Sequence, residues 1–168
     1  MKTKCTGCGA ELEFIEGETD PYQCSTAACW AAYNQLLLKE FSSPEYFSSH
    51  RLNVDAYMSQ HPSTLSRAAV QSVWVHLVAL HLALEKQMQS PFIFQVMSKI
   101  TAPKRQFEWL TPPDPDSYKV RAKDLVAATS LEKYVELSNE WAKDVWNAWK
   151  EHHEKIRQLA NQTISELK

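Results

Sequence analysis

The stretch Ser66 to Gln87 constrains the chain more than any other, because it reads as a helix that is apolar on almost every side. Ala68, Ala69, Val70, Val73, Trp74, Val75, Leu77, Val78, Leu80, Leu82, Ala83 and Leu84 leave no polar face wide enough for solvent. Other elements must therefore pack all round it. His76 and His81 interrupt that surface, and the segment just before it carries His50, Asp55 and His61. A fold built round this helix brings histidines toward its core.

The flanking sequence reads as further helices. All three glycines lie within the first seventeen residues and all eight prolines between Pro21 and Pro115, which separates a turn-rich head from a helical body. Ser25 is expected to cap a helix through Trp30, Tyr33, Leu37 and Phe41. Ser43-Pro44 starts the next, over Glu45 to Gln60, as one helix or as two with a fresh cap at Asn53. Ser90-Pro91 starts another, to about Thr101. Residues 102–117, with Pro103, Pro112, Pro113 and Pro115, read as a surface crossing in which Phe107, Trp109 and Leu110 turn inward. A short helix is expected over Arg121 to Ala128. Thr129 to Glu132 matches a capping box that opens a final helix running the length of the bundle or breaking once. The six tryptophans, Trp30, Trp74, Trp109, Trp141, Trp146 and Trp149, read as bundle core. The expected fold is mainly α, a four- to five-helix bundle with a small N-terminal zinc-knuckle and β-hairpin head. Residues 1–24 form the head and 25–168 the bundle, packed as one unit.

Length, charge and composition narrow the function classes. A chain of 168 residues buries roughly 70% of its unfolded surface, enough for a core of its own. Its net charge of −2 offers no whole-chain field for nucleic acid or an anionic membrane. The head adds five acidic residues from Glu11 to Asp20 against Lys2 and Lys4, so nucleic acid is not an expected partner. No apolar leader precedes Cys5, and the longest apolar run is broken by Gln71, Ser72 and two histidines. The expectation is a cytoplasmic, soluble protein with no membrane partner, whose four cysteines are metal ligands rather than disulfides.

Cys5-x2-Cys8-Gly9 has the spacing that lets two thiolates wrap one tetrahedral zinc, glycine tolerating the tight turn behind the second. Cys24 and Cys29, where a helix begins, would complete a four-cysteine site, and the helix N-terminus favours thiolate. Zinc in such a closed site is structural, since no position remains for substrate. His50 and His61 share one helical face but would lie about 16 Å apart along a straight helix, so only a break joins them at one metal. His76 and His81 face different ways, as do the adjacent His152 and His153. Asp55 and Glu85 are candidates for ligand, partner to histidine or general base.

Several segments together resemble a known family. They are Cys5-x2-Cys8-Gly9, Cys29-Trp30, His50-Arg51-Leu52-x-Val54-Asp55-Ala56-Tyr57-x-x-Gln60-His61-Pro62 and Gln71-Ser72-Val73-x-Val75-His76-Leu77. Trp141-Ala142-x-x-Val145-Trp146-x-Ala148-Trp149 with His152-His153 is the last. The chain resembles an uncharacterised bacterial family classed as a domain of unknown function. The resemblance implies a bacterial protein with a zinc head and brings no established activity. It also implies that Cys24 lies outside the family's cysteine pattern, which makes His50 or His61 a candidate fourth ligand that would tie head to bundle.

Two functions remain. The first is a zinc-binding helical protein with a binding or regulatory role toward an unknown protein or small molecule, as monomer or homodimer. The alternative is a metal-dependent enzyme whose pocket gathers His50, His61, His76 and His152 or His153, with Asp55, His76 and Glu85 as catalytic candidates.

Overall fold

In a computed structural model, which describes residues 1–102 and 105–167, the helix at the centre is α4, Arg67–Leu84. Ser66 caps it by accepting from the Ala69 N–H at 3.1 Å. The elements before it are strands β1 (Lys2–Lys4) and β2 (Glu11–Glu13) and helices α1 (Ala27–Ser42), α2 (Pro44–Phe47) and α3 (His50–Gln60). After it come α5 (Ser90–Thr101), α6 (Ala122–Val126), α7 (Leu131–Ala148) and α8 (His153–Ser165), with 3-10 turns at Pro115–Ser117 and Lys150–His152.

The apolar circumference of α4 is covered by α3, α5, α7 and α8. Leu77, Val78, Ala79, Leu80 and Leu82 are wholly buried there, each large side chain contributing about 1.5–3 kcal/mol by leaving water. Among the described residues α4 alone has the length and hydropathy to cross a membrane, and 56% of it is buried inside the protein. The protein is mainly helical with one small hairpin, as its patterning implies. The five long segments are α1, α3, α4, α5 and the α7–α8 pair.

Local chemistry moved several boundaries. Thr26 caps α1, with its hydroxyl 3.4 Å from the Cys29 N–H, where the sequence favours Ser25. The break between α2 and α3 falls at Ser48–Ser49 and not at Asn53, which is buried and donates to Glu40. Ser130, not Thr129, caps α7 by accepting from the Lys133 N–H. The final helix breaks once, at Trp149, without glycine or proline. That indole is fully buried and donates to the Ser59 carbonyl at 3.1 Å, a tertiary bond that fixes the turn. Of the three residues expected to turn inward on the crossing, Leu110 is buried and Phe107 half-buried, whereas Trp109 is 38% exposed and is not core. The other five tryptophans all pack on the core. Pro103 lies outside the described residues.

Candidate metal centre

The head is a hairpin whose turn is the cysteine loop itself. Lys2 pairs with Glu13 and Lys4 with Glu11, and the Cys5 N–H donates to the Ala10 carbonyl at 2.8 Å. The strand that pairs with β2 is thus the segment before Cys5, so the hairpin encloses the first two cysteines. Gly9 donates to the Cys5 carbonyl at 2.9 Å and has φ of +70°, a conformation that costs glycine little. Gly7 answers a different need. A Cβ there would stand 2.6 Å from the Cys24 carbonyl oxygen and 2.6 Å from His61 Cδ2, so only glycine lets the loop meet the histidine. From the other side, Arg121 Nε donates to the Cys8 carbonyl at 2.7 Å and Lys4 pairs with Asp116 at 2.6 Å.

Cys29 enters from the first turn of α1 and His61 from the C-terminal end of α3. Pro62 bars α-helix at the preceding residue, and His61 leaves the helix at φ −122°, ψ 56°. Cys5, Cys8 and Cys29 Sγ and one His61 ring nitrogen all lie within 4.8 Å of one another. Cys8 and Cys29 Sγ are 3.7 Å apart and Cys29 Sγ is 3.3 Å from His61 Nε2. Tetrahedral bonds of the usual metal–sulfur and metal–nitrogen lengths put such pairs about 3.8 and about 3.6 Å apart. The donor set therefore fits a tetrahedral ion, and all four residues are buried.

The surroundings orient these donors. His61 Nδ1–H donates to the Tyr57 carbonyl at 2.8 Å, which fixes the tautomer and leaves Nε2 for a metal. The Tyr57 ring lies against the imidazole, tilted by 31° with centroids 4.0 Å apart, and its hydroxyl stands 3.9 Å from Cys29 Sγ. Hydrogen bonds from Cys29 and then Cys8 hold the Cys5 sulfur far below the ordinary thiol range. Hydrogen bonds with Cys5 and then Cys8, joined by burial, push Cys29 far above it. Burial opposes charge on His61, but hydrogen bonds to Cys5 and Cys8 raise it to about 9. Binding of a metal dication requires these thiols to lose their protons, which makes its affinity depend on pH.

The sequence model for Family of unknown function (DUF5946) matches residues 3–150, which include all four donors. The chain belongs to this family. No curated protein and no solved structure matches it.

In this DUF5946 chain the remaining candidate ligands lie apart from the cluster. Cys24 touches it through backbone, donating to the His61 carbonyl at 3.2 Å and accepting from Thr6, but its sulfur is not one of the grouped donors. Burial, then the charge at Cys5, pushes that thiol up to about 11. His50, at the opposite end of α3, instead donates to Glu40 at 2.7 Å. His76 donates to Asp55 at 2.7 Å, and Asp55 also takes both arms of Arg51. His81 donates to Glu85, which further accepts from Arg157 and Trp146. His152 and His153 donate to the carbonyls of Thr111 and Trp146. The histidines of the DUF5946 bundle therefore have separate partners and do not gather round one pocket.

Two residues escaped the sequence reading. Glu40, 1% exposed, accepts from His50, Asn53 and Tyr134, yet beside Lys39 it has the look of a solvated charge at the end of α1. Arg121 reads as surface charge, and no local pattern ties it to a loop 113 residues away.

Proposed function

We propose that the Cys5–Cys8–Cys29–His61 cluster holds a structural zinc ion that staples the head to the bundle, and that the protein serves a binding or regulatory role. The observation that carries this reading is the convergence of four buried donors from three separate elements at tetrahedral spacing. Three thiolates and an imidazole suit zinc, and four protein ligands leave no open coordination position for substrate. The hairpin head pairs only three residues per strand, too few to hold itself by a core.

The enzyme alternative gathers His50, His61, His76 and His152 or His153 round one pocket, and these side chains instead bond Glu40, the Tyr57 carbonyl, Asp55 and the carbonyls of Thr111 and Trp146. The reading is tested by metal analysis and X-ray absorption on untagged protein. One zinc per chain with three sulfur and one nitrogen neighbours is expected. A site with oxygen neighbours or an open position would overturn the structural role.

A further inference from the structure

A cleft of about 330 Å³ opens between residues 20–23 and helices α3 and α4, and none of the four clustered donors lines it. Its volume is at the lower end of small-molecule pockets. His76 lines it, with its Nδ1–H committed to the wholly buried Asp55, so Nε2 is the ring nitrogen left to accept a hydrogen bond. Gln23 lines it too. That side chain is 5% exposed and its Oε1 has no hydrogen-bond partner among the described residues. The terminal torsion of a glutamine is broad, so a small rotation presents this oxygen to a ligand.

Asp20 supplies a carboxylate and Tyr22 an aromatic ring, while Met58 and Val75 give apolar surface. Among the described residues no lysine or arginine lines the cleft, and the nearby Arg51 is engaged by Asp55. An anion would find no counter-charge from a lysine or arginine in these walls. Asp20 brings the one carboxylate of the lining, Gln23 Oε1 and Nε2 of the neutral His76 ring add acceptors beside the amide of Gln71 and the hydroxyls of Ser72 and Thr101, and the Tyr22 ring face adds attraction for a cation.

We infer that this cleft binds a small organic ammonium, a primary amine with a short aliphatic chain. The N–H groups go to Asp20, Gln23 Oε1 and His76 Nε2, and the chain lies against Met58 and Val75. This gives the binding role proposed above a location and a ligand class and rests on that role, but not on the zinc.

The test follows the His76 ring signals by NMR, assigned through His76→Gln, while n-butylammonium, n-butanol or butyrate is added to zinc-analysed protein. A saturable shift is expected with n-butylammonium, with butanol weaker and butyrate inert. Asp20→Asn keeps an acceptor for the Tyr22 N–H, which bonds Asp20 at 2.7 Å, and removes the charge. It should weaken the response about threefold, and Gln23→Leu should weaken it too. Acetyl-lysine-amide is compared with n-butylammonium. Tighter binding of the blocked lysine marks a protein side chain as the source, and tighter binding of the free amine a metabolite; either supports the ammonium site. No saturable shift, or an equal one with butyrate, overturns it. A zinc-free protein that still responds would instead sink the metal staple and leave the cleft standing.

Discussion

The carbonyl of Tyr57 accepts the Nδ1–H of His61 at 2.8 Å, four residues further along, and this bond aims the opposite ring nitrogen at the sulfur of Cys29. The last turn of α3 thereby does two things. It ends the helix before Pro62, and it brings the final histidine, as a candidate metal donor, to cysteines that lie far away in sequence.

Close approach of the cysteine loop to His61 depends on a missing side chain at position 7. Gly7→Ala places a methyl 2.6 Å from both the Cys24 oxygen and His61 Cδ2, so loop and histidine must separate. The expected loss is about 1–3 kcal/mol, seen as a Tm lower by several degrees in circular dichroism. An unchanged Tm would mean that the loop does not meet His61 as described.

Asp55 has no contact with solvent, whereas Arg51 and His76 keep part of theirs. Asp55→Ala should cost about 3 kcal/mol in urea unfolding, the lower end for breaking a buried ion pair, because Arg51 can turn to water. Arg51→Ala should cost at least as much, because it leaves the buried carboxylate with His76 alone. A clearly smaller loss from Arg51→Ala than from Asp55→Ala would show that the carboxylate is not a buried charge held by Arg51.

Acid sensitivity is expected at Glu85. Hydrogen bonds from Arg157 lead, opposed by burial and joined by Trp146 and His81, and the carboxyl falls from 4.5 to about 2. A group depressed on folding stabilises fully above its unfolded value, and the contribution fades as pH drops from about 4.5 toward 2. Glu85→Gln should therefore narrow its stability deficit against wild type across that window, in denaturant titrations at fixed pH. Comparing the two proteins removes the shared acid sensitivity of the metal ligands. A deficit that stays constant from pH 5 to 3 would contradict the assignment.

Gln23 carries a buried oxygen with no partner. Gln23→Leu keeps the volume and removes the unmet acceptor, so unfolding free energy should stay level or rise by up to about 1 kcal/mol. A loss beyond that would indicate a structural partner for the amide.

How far the sequence discloses this molecule depends on the range of each interaction. The Cys5–Cys8 spacing is local and its geometry follows from the turn, so that pair could be read directly. Cys29 was legible through its place at a helix start. His61 entered only through the resemblance, which left it open beside His50; that His61 and not Cys24 joins the three sulfurs depends on how the end of α3 folds back and on the gap left by Gly7. The apolar circumference of α4 announced a buried helix, but not that α7 would turn at Trp149 to reach Ser59, 90 residues away. Glu40 was hidden for the same reason: its partners His50, Asn53 and Tyr134 come from two other helices.

The metal centre is tested most directly by zinc content per chain for wild type, Cys24→Ser and His61→Ala, purified side by side. One zinc in wild type and in Cys24→Ser, with loss in His61→Ala, is the predicted result. Zinc lost from Cys24→Ser and retained by His61→Ala would place the fourth ligand in the head and contradict a staple between head and bundle.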